Sequence, residues 1–105
     1  MEQLAYLLGK MAAVTEGDGT LLDHSVVFCS SEIEDGNSHS HFNMPILLAG
    51  KAGGALKPGR HIVLGSSGDQ NKQPSVGRLF VSILNALGSP IASFGDDGTG
   101  ALTGL

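Results

Sequence analysis

The sequence has no tryptophan, a single cysteine and few charges, and each shortage removes a class of protein. One thiol, Cys29, cannot close an internal disulfide, so a disulfide-stapled scaffold is excluded. It sits within Val26-Val27-Phe28-Cys29 with no Lys or Arg near it in sequence, and reads as a small core hydrophobe rather than a reactive thiolate. Lysine and arginine together number 6 against 10 acids, for a formal net charge of −4. That balance attracts no phosphate backbone, and Tyr6 with four phenylalanines are the only rings for base stacking, so nucleic acid is not an expected partner. No apolar run nears the ~20 residues of a membrane-spanning helix, so no transmembrane segment is expected. A signal peptide is not legible either, because Glu2 stands where a basic region belongs and Lys10 interrupts the apolar stretch.

What is present is 105 residues with 41% hydrophobic content and 16 glycines. This suits one domain spanning 1–105, built of tightly turned strands and loops rather than a helical bundle. In residues 2–14, Leu4, Leu7, Leu8, Met11 and Ala12 share one helical stripe, and Gly17 suits a cap just beyond. Two continuous apolar runs, 25–29 and 45–49, read as strands buried on both faces, with a third short strand at 60–64. Ser75 has the chemistry of an N-cap, followed at helical spacing by Val76, Leu79, Phe80, Ile83, Leu84 and Leu87. Gly88 closes that helix, Pro90 prevents its continuation, and 89–105 reads as a glycine-rich extended tail. The expected fold class is α/β: a small, mainly parallel or mixed sheet of about three strands flanked by two amphipathic helices. So small a sheet leaves unpaired edges, which points to a piece of a larger domain or to a homo-oligomer.

Chemistry-bearing residues concentrate in the polar stretch between the first two strands. Ligands of open α/β sheets bind beyond the carboxyl ends of strands, and Glu32, Glu34, Asp35, His39 and His41 fall there. If His39-Ser40-His41 is extended, both imidazoles project from one face. Two imidazoles and one carboxylate make a divalent-metal site of the zinc or iron type, although such a pair in a polar loop also serves as ordinary solvated surface. Gly36 and Asn37 have turn chemistry, and Glu34 and Asp35 read as solvated acids. Elsewhere, His24 beside Asp23 reads as a local turn pair and His61 as surface or interface. Lys51, Lys57 and Arg60 flank a glycine-rich connector that either attracts an anion or is only a connector. Ser66 and Ser67 lack the Gly-x-Ser-x-Gly pattern of a nucleophile elbow and read as loop residues. Asp96-Asp97-Gly98-Thr99-Gly100 has too few ligands for a calcium loop.

Four segments carry a resemblance: Glu16-Gly17-Asp18-Gly19-Thr20-Leu21-Leu22-Asp23, Asp35-Gly36-Asn37-Ser38-His39-Ser40-His41, Met44-Pro45-Ile46-Leu47-Leu48-Ala49-Gly50 and Ser93-Phe94-Gly95-Asp96. Together they resemble the C-terminal metal-binding region of the alkaline-phosphatase-like (sulfatase-like) superfamily, and within it an uncharacterised family of bacterial exported proteins. The resemblance implies a divalent metal, zinc or manganese, held by Glu32, His39 and His41. It implies a small anionic phosphate or sulfate ester as the substrate of a full-length relative, and export to the periplasm or cell surface. The chain departs from the superfamily pattern at Ser31-Glu32, where phosphatases place Asp-His, so only Glu32 is left for the acidic position. The family's nucleophile comes from an N-terminal half without counterpart here, so the resemblance implies a part that is not catalytic by itself. The alternative is a non-catalytic, surface-associated binding or structural module that oligomerises.

Overall fold

The structure, a computed structural model, describes residues 1–65 and 72–105. Ser66 and Ser67, read above as loop residues, lie outside them. Among the described residues the chain is a small α/β domain of two α-helices and three two-stranded antiparallel pairs.

Helix α1 (Glu2–Ala13) forms where the apolar stripe places it, but none of its residues is buried. Leu4, Leu8 and Met11 are half-covered, while Leu7 and Tyr6 face solvent. Gly17, at φ 58°, turns the chain between β1 (Thr15–Glu16) and β2 (Gly19–Thr20), a two-residue hairpin. The backbone then docks on the end of α1, with Leu21 N donating to the Val14 carbonyl (2.9 Å) and Leu22 N to that of Met11 (3.3 Å).

The two apolar runs become β3 (Val27–Ser30) and β4 (Ile46–Ala49), paired antiparallel with Val27 opposite Ala49 and Ser30 opposite Ile46. The expected mainly parallel sheet is not what the chain builds. A parallel pair needs a crossover, usually helical, whereas residues 31–45 fold back on themselves and return the chain to the neighbouring edge. Nor are these strands buried on both faces, since Phe28, Ile46 and Leu47 remain exposed. The third run, 60–64, joins no ladder among the described residues. Just after β4, Gly50 adopts φ 99°, and a Cβ there would lie 2.1 Å from the Ser25 carbonyl oxygen. Only glycine fits so close an approach in that conformation.

Helix α2 (Val76–Ala86) is the centre of the molecule. Ser75 caps it as its sequence position suggests, accepting from Gly77 N at 3.0 Å and donating to Asp97 Oδ1 at 2.5 Å. At the other end Gly88 (φ 79°) donates to the Asn85 carbonyl and Ser89 N to that of Leu84, the paired bonds of a Schellman cap. Its buried residues include Leu79, Val81, Ser82 and Ile83, which lie on different sides of the helix. α2 is therefore wrapped rather than laid on a sheet by one stripe, and Leu87 on the expected stripe is exposed.

Part of that wrapping comes from the segment read as an extended tail. It folds instead into a hairpin, β5 (Ser93–Phe94) against β6 (Gly98–Thr99). A Cβ on Gly98 would meet Gly77 Cα of the helix at 2.6 Å, so hairpin and helix touch backbone to backbone. Arg78 donates to the carbonyls of Gly100 (3.4 Å) and Ala101 (2.9 Å), and Leu102 N donates to Ser82 Oγ (2.8 Å). The Phe80 ring lies 5.3 Å from Phe28 of β3 and 5.0 Å from Phe94 of β5, joining helix, sheet and hairpin through tilted aromatic contacts.

Candidate functional site

The polar loop 31–43 is organised by its own short side chains. Asp35 accepts from Asn37 N (3.0 Å), Ser38 Oγ (2.8 Å) and Ser38 N (3.3 Å). Such a turn is what an Asp two residues before Asn favours. The Asn37 amide, then the Ser38 hydroxyl, hold the Asp35 carboxyl below the usual carboxylate range. Glu34 N donates to the Ser40 carbonyl (2.8 Å), and Ser40 Oγ to Glu34 Oε2 (3.3 Å), which closes the loop on itself. At its exit, Asn43 and Gln73 exchange hydrogen bonds, Asn43 N donating to Gln73 Oε1 (2.9 Å) and Gln73 Nε2 to Asn43 Oδ1.

Glu32, His39 and His41 are all exposed. His39 and His41 line one open depression together with Glu34 and Asp35. His39 reaches it from a left-handed backbone conformation (φ 53°), so His39-Ser40-His41 is a turn and not the extended segment that alternation assumes. His41 does meet Glu32, but its Nδ1 lies 3.0 Å from the backbone carbonyl and not at the carboxylate. A carbonyl only accepts, so Nδ1 carries the hydrogen and Nε2 of the neutral ring has its lone pair free. Histidine ligands of metals are commonly oriented through the other nitrogen in this way. Among the described residues, however, no three His, Cys, Asp or Glu side chains are assembled to hold a metal ion. The two imidazoles suit part of a donor set, and the third donor is not in place.

Other candidates resolve into structure. Asp23 faces Lys51 (2.7 Å) and Thr20 (2.8 Å from its hydroxyl, 2.9 Å from its amide) rather than the neighbouring His24. The Lys51 bond, then those of Thr20, push its carboxyl far below the ordinary range. His24 pairs with Asp18 at 3.4 Å. Of the three cations around the glycine-rich connector, Lys51 is thus paired. Arg60 is held by the carbonyls of Lys57 and Gly104, both at 2.7 Å, so two of the three cations are engaged within the chain.

Sequence reasoning did not find a second concavity, wider than the depression of the loop. It is an open cleft of 1390 Å³ between β4, residues 61–64 and the start of α2. Phe42, Ile46, Leu47, Ile62, Val63 and Leu64 line it and are all exposed. His41 and His61 stand in its wall. No local pattern announces it, because its walls come from stretches of chain far apart in sequence. Among the described residues no helix is long and apolar enough to cross a membrane. Comparison with known protein families, with curated proteins and with solved structures finds no match.

Proposed function

We propose that this chain is not catalytic by itself and acts as one part of a larger assembly, with its apolar cleft covered by another polypeptide surface. The observation that carries this is surplus surface. The chain exposes 7027 Å², whereas a compact monomer of its 10.7 kDa exposes about 5,500 Å². Its radius of gyration is 15.0 Å, against about 13 Å for a compact domain of this length. Among the described residues only Leu56, Leu79, Val81 and Ile83 form the buried apolar core. Covering the exposed side chains of the cleft is the direct physical remedy. Sedimentation equilibrium of the purified chain at micromolar concentration tests the reading. A mass above that of one chain is expected, and a compact monomer that binds no hydrophobic dye overturns it.

The His41–Glu32 contact favours a second reading, in which the loop supplies imidazole ligands to a divalent metal, zinc or manganese. In the assembly suggested by the resemblance to phosphate and sulfate ester hydrolases, His39 and His41 would hold the ion with a carboxylate of the same loop, Glu32 or Glu34. A metal so held supplies Lewis-acid polarisation of a small anionic ester. The chain's own part is to present Nε2 of His41, with the Glu32 carbonyl fixing its tautomer. Titration calorimetry with zinc on the wild type and His41→Ala decides it. Weaker binding by the variant is expected, and equal affinity removes His41 from the ligand set.

A further inference from the structure

Residues 61–64, His-Ile-Val-Leu, have the composition of a strand without the ladder of one. Two left-handed glycines, Gly59 (φ 76°) and Gly65 (φ 81°), bracket them. Exposure alternates along the run, 38% at Ile62, 71% at Val63 and 38% at Leu64, the period of an extended chain. Among the described residues these four make no backbone hydrogen bond. An apolar stretch with free N–H and C=O groups is a template for strand pairing.

Resting on the reading that another polypeptide covers the cleft, we propose that the occupant is a second copy of this chain. It docks by antiparallel pairing of residues 61–64 with themselves across a two-fold axis. The axis preserves the face on which a side chain stands, so each residue must meet one of the same parity. A ladder centred on Val63 sets Val63 against Val63 and Ile62 against Leu64, so the facing positions are apolar and largely β-branched. Centring on Ile62 would instead set His61 against Val63 and Arg60 against Leu64 and lose that match. Arg60, tied back to Lys57 and Gly104, keeps its cation off the ladder. The area agrees: the surplus is about 1,500 Å² per chain, and a standard interface takes about 800 Å² from each partner. The self-repulsion of two chains of net charge −4 is screened beyond about 8 Å at physiological salt.

Sedimentation equilibrium on the wild type, Val63→Lys and Val14→Lys tests the pairing. Val63 is 71% exposed, so its lysine variant retains the fold, checked by circular dichroism. The two lysines of a dimer then face one another, and the dissociation constant is expected to rise at least about tenfold. Val14 is 50% exposed and does not line the cleft, and its lysine variant is expected to dimerise like the wild type. A dimer indifferent to Val63→Lys overturns this pairing while leaving association intact. A wild-type monomer at all micromolar concentrations overturns both.

Discussion

Gly98→Ala is the sharpest test of how the β5–β6 hairpin is joined to α2. A methyl group at this position would sit 2.2 Å from the Phe94 carbonyl oxygen and 2.6 Å from both Cα and the carbonyl carbon of Gly77. These are backbone atoms, so no side-chain rotation relieves the overlap, and the hairpin must draw back from α2. Overpacking of this kind costs about 1–3 kcal/mol. The retreat also loosens the Phe80–Phe94 ring contact, whose geometry contributes about 1 kcal/mol. The bonds from Arg78 to Gly100 and Ala101 lengthen with it. Taken together the loss is about 3 kcal/mol, and at about 4–8 °C per kcal/mol the melting temperature falls by about 12–24 °C. Gly36→Ala is the control, because a Cβ there meets nothing within 4 Å and the residue has no positive φ. Thermal melts followed by circular dichroism measure both variants. If Gly98→Ala melts with the control, the hairpin does not pack on the helix as described.

Three further outcomes are expected. Gly50→Ala combines a φ of 99° with a Cβ 2.1 Å from the Ser25 carbonyl oxygen, and urea unfolding should show a loss above about 2 kcal/mol. Ser75→Ala removes the cap of α2 and its bond to Asp97, costing about 1 kcal/mol in the same assay, while Ser75→Thr should retain most of it. Asp23 has its carboxyl held below its unfolded value of about 3.9, chiefly by Lys51, so its stabilisation is complete above that pH and fades as the pH falls beneath it. Melting temperatures measured from pH 6 to pH 2 should therefore fall less steeply for Asp23→Asn than for the wild type; parallel curves would refute the pairing.

The parts legible in the sequence are those decided within a few residues. Helix α2 is such a part: a serine hydroxyl, a 3.6-residue apolar period and a glycine whose left-handed φ ends the helix are all local. The direction of the sheet is not local. Continuous apolar runs such as Val27–Ser30 and Ile46–Ala49 do not distinguish parallel from antiparallel pairing, nor a doubly covered strand from one left half exposed. The hairpin after α2 was hidden for a related reason. Glycine-rich composition suggests an open tail, yet Gly98 is small because Gly77, 21 positions earlier in the sequence, lies against it. At the candidate site the proximity of His39 and His41 could be read from their spacing. The positive φ of His39 and the use of the Glu32 carbonyl instead of its carboxylate could not, since both depend on how the loop closes through Glu34 and Ser40.

The reciprocal amide pair between Asn43 and Gln73 has a mechanical consequence. It moors the exit of the histidine loop to the residues that lead into the first turn of α2, so anything that drags His41 outward pulls on the serine that starts that helix. Such a pull at the rim would then be felt as faster hydrogen exchange at the Asn43 and Gly77 amides, two residues far apart in sequence that answer to one tether.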